Sequence, residues 1–275
     1  MHIKLKNYAM KTFFTALIIT LITIPSVTAQ QHYTKQTPLP CLNKEFSVVV
    51  HMVRDTFGDI GVTEAEVQNA IDSLNYYFEP ICASFNICEF RIIDNFQYSI
   101  PLNMNEWEEM QVKYHQNNRI NLYLVNLVTW SEDICGFATF EGIGEMESGG
   151  ILLNKFCSLS SFKGLPHLMG HYFGLYHTSN NPGTELVNGS NCETAGDEIC
   201  DTPADPYVPT ENLLDYIDPT NCRFIFPGGD PNGEFYLTHT SNIMSFYPQS
   251  CQCGFTHGQF QRMAEFYLNT EFKMW

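Results

Sequence analysis

Hydrophobic and polar positions change period along the chain, and each change marks an element. Residues 45–54, E-F-S-V-V-V-H-M-V-R, form a near-continuous apolar run rich in β-branched side chains, as in a strand buried on both faces. His51 inside that run reads as a core histidine rather than a ligand. Val67, Ile71, Leu74 and Phe78 then recur at i, i+4, i+7 and i+11, one stripe of a helix that must bury against a sheet. Thr63 and Glu66 have the spacing of a capping box, and Val62 and Val67 that of a hydrophobic staple. Pro80 stops this helix. Residues 87–94 read as a second strand, 103–115 as a helix with Trp107, Met110 and Tyr114 on one side, and 119–128 as a third strand. Alternation of strand and helix predicts a mostly parallel sheet with right-handed crossovers. Residues 136–141 and 150–154 add two short strands, the first at an edge.

From residue 179 to 242 the periodicity fades, and Asn, Gly, Pro and Asp dominate. A last helix is expected over 256–268, opened by a Thr256–Gln259 capping box, with Phe260, Met263 and Tyr267 along one face. The expected fold class is α+β. An upper subdomain (45–177) would hold the twisted, mostly parallel sheet and long helices, and a loop-rich lower one (178–275) would end in the last helix.

The N-terminus changes the picture of compartment. Lys4, Lys6 and Lys11 precede an apolar run over 12–24 and a small-residue site at Val27-Thr28-Ala29, the pattern of a secretory signal. Cleavage after Ala29 would leave 246 of the 275 residues and, with three lysines gone, take the formal net charge from −16 to −19. Residues 30–44 read as a polar, extended lead-in. So acidic a chain disfavours nucleic acid and anionic membrane surfaces as partners, and no membrane contact is expected after signal cleavage.

The ten cysteines, in an exported chain, suggest disulfides whose connectivity the sequence leaves open. Cys251 and Cys253 are too close to pair comfortably with each other, so they have different partners or one is free. Cys41 reads as a disulfide partner in preference to an inhibitory thiolate. No C-x-x-C pair occurs between Cys192 and Cys253, which argues against a second, structural zinc. Asn188-Gly189-Ser190 is a glycosylation sequon. Residues 196–205 carry four acids, and there Asp197 and Asp201 either hold calcium or build a solvated turn.

The densest chemistry lies in residues 165–178, L-P-H-L-M-G-H-Y-F-G-L-Y-H-T. His167 and His171, four apart, share one helical face. Gly174 can take the positive φ that ends a helix, so the chain can return His177 to the same point. Three neutral imidazoles with a fourth position left for water suit zinc. Pro166 requires the helix to start near Leu165 or to bend there.

The spacing H-x-x-x-H-x-x-G-x-x-H is similar to the metzincin zinc signature, with Leu168 where that motif carries its glutamate. With G-D-E-I-C-D-T-P-A (196–204), S-N-I-M-S (241–245) and F-T-H-G-Q-F-Q-R-M (255–263), the chain resembles the pappalysin-like metzincins, the family of pregnancy-associated plasma protein A. The resemblance implies a zinc endopeptidase with a cleft between two subdomains, zinc on His167, His171 and His177, a methionine turn at Met244, and a peptide or protein substrate. It also implies that neither catalytic helper is intact. The general-base glutamate corresponds to Leu168, and the tyrosine two residues after the turn methionine corresponds to Phe246. Glu145, Glu147 or Tyr247 would have to substitute for an active enzyme. The expectation is a secreted zinc-binding protein with impaired hydrolysis.

Overall fold

The β-branched run does form the centre of a sheet. The computed structural model describes residues 37–128, 135–145, 147–156 and 163–271. The expected signal over 1–29 lies outside them. Strand β1 (Lys44–Val53) is followed by α1 (Glu64–Phe78), β2 (Ala83–Ile93), α2 (Met104–Tyr114), β3 (Ile120–Val125), β4 (Gly136–Ala138), β5 (Ile151–Asn154), α3 (Gly164–Tyr172) and, after a long irregular stretch, α4 (His257–Asn269). The strands lie in the order β2-β1-β3-β5-β4, with β4 antiparallel and the rest parallel.

The order explains the double burial of β1 and β3. The β1–α1–β2 crossover moves one way along the sheet, and the β2–α2–β3 crossover moves back past β1. Two right-handed connections of opposite direction place α1 and α2 on opposite faces. The period-2 alternation of the strands then sorts their side chains. Phe46, Val48, Val50 and Met52 of β1, Leu122 and Leu124 of β3, and Ile151 and Leu153 of β5 pack with α1, α3 and α4. Val53, Tyr123, Val125 and Leu152 pack with Trp107 and Met110 of α2. His51, on that second face, is fully buried, stacks on Tyr123 and shares a 2.9 Å hydrogen bond with Asn121. Burial depresses its pKa to about 4.

Several expected boundaries move, for local reasons. Strand β2 begins at Ala83 rather than at 87. Pro80 sits in a short 3-10 turn that ends at Cys82 with φ 52°, and the chain leaves it already extended. The side chain of Asn75 then grips Phe85, accepting from its N–H at 2.6 Å and donating to its carbonyl at 3.1 Å. Strand β3 stops at Val125, because the next N–H, of Asn126, donates to Ser99 instead. Strand β4 stops at Ala138, before Glu141 turns with φ 59°. Helix α3 starts at Gly164, so Pro166 falls in its first turn, where the missing N–H costs nothing. Both capping boxes are present, at Thr63 and at Thr256.

Cys41 is bonded to Cys82, which ties the lead-in to the turn before β2. Cys192–Cys200 and Cys222–Cys251 brace the irregular half, while Cys88 and Cys253 are free thiols. Disulfides of this kind fit an oxidising, extracellular compartment. No described helix is long and apolar enough to cross a membrane.

An aromatic knot joins the sheet to the helices. The Phe46 ring lies 5.5 Å from Phe85, 5.6 Å from Phe173 and 5.0 Å from Tyr267, so one side chain of β1 touches β2, the end of α3 and α4. Phe46→Ala should therefore lower the unfolding free energy in urea by about 3–5 kcal/mol. Tyr76→Ala, at a side chain 76% exposed, should change it by under ~0.5 kcal/mol.

Candidate metal centre

Helix α3 is apolar on nearly every side, and Leu165, Met169 and Tyr172 anchor it in the core. That fixes the orientation of His167 and His171, one turn apart. Gly174, at φ +84°, reverses the chain. The return is sealed by hydrogen bonds from Leu175 N–H to Gly170 and from Thr178 N–H to Met244. His177 is thereby carried back. The Nε2 atoms of the three histidines stand 3.0, 3.1 and 3.2 Å apart. They make up the cluster of metal-capable groups among the described residues.

The tautomers follow from their partners. Nδ1 of His167 lies 2.7 Å from the carbonyl of Ile243, and Nδ1 of His171 lies 2.7 Å from that of Leu175. A carbonyl only accepts, so both Nδ1 atoms donate, and both Nε2 atoms of the neutral rings present lone pairs. Burial keeps all three rings neutral by depressing their pKa values, that of His171 to about 3. Two lone pairs 3.2 Å apart repel unless a cation lies between them. Three nitrogens bound tetrahedrally at zinc–nitrogen distances of about 2.0–2.1 Å would be about 3.3–3.4 Å apart. The donor set and its spacing fit zinc.

The turn beneath the rings is held by Asn242. Its Oδ1 accepts from Met244 N–H, and its amide is paired in both directions with Gln259 of α4. Met244 is fully buried, and its Sδ would lie 2.5 Å from a Cβ on Gly170. Glycine at 170 is what lets the turn approach the helix.

Leu168 and Phe246 both line one cleft, a cavity of about 630 Å³ that includes the three histidines. Leu168 packs against Gly136 of β4, with its Cδ1 2.5 Å from where a Cβ would sit. The Phe246 ring lies 4.1 Å from that of His177. No Asp or Glu lines the cleft among the described residues. Glu145 and Glu147 are exposed and do not line it. Tyr247 does border it, but its hydroxyl donates to buried Asp205 at 2.9 Å. Asp205 also accepts from Thr178, next to His177, at 2.7 Å, so one carboxylate ties the two segments that flank the cleft.

The acidic segment divides its tasks. Asp201 accepts from Thr256 Oγ1 and Gly258 N–H, both at 2.7 Å, at the N-terminus of α4, where a negative charge is favourable. Asp197 is 1% exposed. Its Oδ1 accepts from Thr202 and Ile199, and its Oδ2 has no partner. Burial pushes Asp197 up to about 7, and burial together with Asp197 and Asp205 pushes Glu185 up to about 8. A pair of buried acids around an orphaned oxygen is an arrangement that a hard cation would relieve. Of the two acids expected either to hold calcium or to build a turn, Asp201 is engaged at the start of α4 and Asp197 keeps one buried oxygen unpartnered.

Sequence reasoning missed Glu185 and the two orienting carbonyls, since a main-chain oxygen has no signature and Glu185 is brought in by an irregular loop. No protein-family model matches the chain, and a comparison with characterised proteins finds no match. Among solved structures, metalloproteinase-II from Bacteroides fragilis aligns over 52% of this chain and 46% of its own, with 12% identity and a TM-score of 0.38. A structure of a chaperone–substrate complex aligns over 81% of this chain and 35% of its own, with 14% identity and a TM-score of 0.37. This chain thus matches less than half the length of either, and likenesses at this level establish neither its fold nor its chemistry.

The Asp197 carboxyl gives a signed expectation. Folded, it holds a proton up to about pH 7, whereas its ordinary value is 3.8. Its contribution to stability is present at low pH and is lost as pH rises through 7. In chelator at pH 8, Asp197→Asn should melt higher than the parent, and the gap should close as pH falls toward 4. A variant that melts lower at pH 8 would contradict this account of the orphaned oxygen.

Proposed function

We propose that this chain is a secreted zinc-binding protein of pappalysin-like metzincin fold, with impaired hydrolysis and a cleft that binds peptide segments. The observation that carries the reading is the pair of lone pairs on His167 and His171, fixed toward each other by carbonyls and joined by His177. Disulfides and the leader pattern support secretion. His167, His171 and His177 would hold the metal, and the chemistry it supplies when bound is polarisation of a carbonyl and acidification of water toward a pKa of about 7.

The chain's own residues supply little else. A base aims water and returns a proton to the leaving amine, effects of about 10²–10⁴-fold. Leu168 can do neither. A missing oxyanion donor costs a further ~10²–10³-fold, and Phe246 has no hydroxyl. The alternative, an active endopeptidase with a substitute base, is disfavoured by the absence of acids from the described lining and by the commitment of Tyr247 to Asp205.

A second metal is favoured by one observation, the unpartnered Oδ2 of Asp197 beside Glu185. We assign calcium to that pair, for the acid-only chemistry of its donors.

Purified protein should contain about one zinc per chain, and His177→Ala should lose it. The double reversion Leu168→Glu with Phe246→Tyr should gain peptidase activity that a chelator abolishes, while the parent shows none on the same peptide library. Vigorous cleavage by the parent would show that Leu168 does not silence the site.

A further inference from the structure

The three imidazoles are not held alike. His167 and His171 are fixed at Nδ1 by carbonyls, but Nδ1 of His177 has no hydrogen-bond partner among the described residues. His177 also lies past the end of α3, on the irregular return after Gly174. Its ring is braced by Phe246 at 4.1 Å, which packs in turn on Tyr207 at 5.7 Å. Its backbone is held at the next residue. Thr178 is buried, with its N–H donating to Met244 and its hydroxyl to Oδ2 of Asp205 at 2.7 Å. The other oxygen of Asp205 accepts from the N–H of Tyr207 at 3.1 Å and from the hydroxyl of Tyr247 at 2.9 Å. Asp205 is itself buried and does not line the cleft. Both the backbone that carries His177 and the aromatic ring that braces it are thus tied to one carboxylate.

We propose that Asp205 is the positioning residue of the third histidine, and that it sets how firmly the centre retains its metal. The proposal rests on the reading of the three histidines as a zinc site. A ligand on a helix, with its far nitrogen bonded, has little freedom to turn. A ligand on a loop keeps its place only as far as its neighbours keep theirs. Asp205 reaches neither the cleft nor the ring nitrogens, so its effect is geometric. Oδ2 fixes the backbone of the ligand through Thr178. Oδ1 fixes Tyr207, on which the Phe246 ring packs, and Tyr247, the next residue along. Outer partners of metal ligands contribute about 10–100-fold to metal affinity. An amide can stand in for the carboxylate here, since its oxygen accepts from Tyr207 and Tyr247 while its NH2 donates to the Thr178 hydroxyl.

The test measures zinc affinity of the whole chain by competition with a chromogenic chelator, alongside the melting temperature of the metal-free protein. Thr178→Val and Asp205→Ala should each weaken zinc binding about tenfold or more, while Asp205→Asn should stay within about threefold of the parent. Cobalt in place of zinc gives a second readout, because its visible absorption is strongest in a tetrahedral site. That absorption should fall in Thr178→Val and persist in Asp205→Asn. Met110→Ala, in the core on the α2 face, calibrates plain loss of stability: it should melt lower with its zinc affinity unchanged. Zinc binding by Thr178→Val as tight as the parent's would overturn the proposal and leave the zinc reading standing. So would a loss in Met110→Ala that matches that in Thr178→Val, or an Asp205→Asn variant as weak as Asp205→Ala. A parent chain that binds no zinc would remove the zinc reading and this proposal with it.

Discussion

Two hydrogen bonds of 2.7 Å, from His167 to Ile243 and from His171 to Leu175, decide what the centre of this protein can be. Each fixes a tautomer, and each depends on a main-chain oxygen placed by a different part of the chain. Leu175 is in position because Gly174 reverses the backbone, and Ile243 because Asn242 shapes its turn and is itself clamped by Gln259 of α4. Gln259 also closes the capping box of that helix. The ligand geometry is thus set by α3, by a glycine turn and by the first turn of α4, which are nearly a hundred residues apart in sequence and meet in one core.

Wherever a period repeats, the fold is legible in the sequence. The continuous run of β1, the stripe of α1 and the two capping boxes each state a local preference that tertiary packing does not override. The misplaced boundaries occur where a single residue breaks the period. Cys82 in the left-handed region starts β2 early, and the bulge between Val48 and Val49 shifts its pairing with β1. Disulfide partners were illegible for another reason. Cys222 and Cys251 meet across an irregular stretch, and nothing periodic relates them. Of the site, the histidine spacing was legible because helix geometry alone brings i and i+4 together. The carbonyls that orient the rings were not, since every residue has one. The contacts of Asp201 with Thr256 and Gly258 were illegible for a related reason: an acid in a polar loop looks alike whether it faces a cation or caps a distant helix.

The same geometry makes the ligand set independent of the residue between its first two histidines. Residue 168 lies between two histidines in sequence but contributes nothing to their orientation, which comes from the far ends of the rings. Its side chain points to β4 and packs on Gly136. A leucine at such a place offers no proton acceptor and adds apolar wall, while the cage is oriented from elsewhere. Phe246 likewise offers no hydroxyl and packs its ring against His177. The orientation of the His167 and His171 rings is set at Nδ1 by main-chain carbonyls, so it does not depend on the side chain at 168. An apolar wall next to a site for a cation has a further consequence: in a medium of low dielectric, the attraction between that cation and a carbonyl oxygen is screened less than in water. Leu168 and Phe246 thus surround the imidazoles with apolar wall that carries no acid–base group.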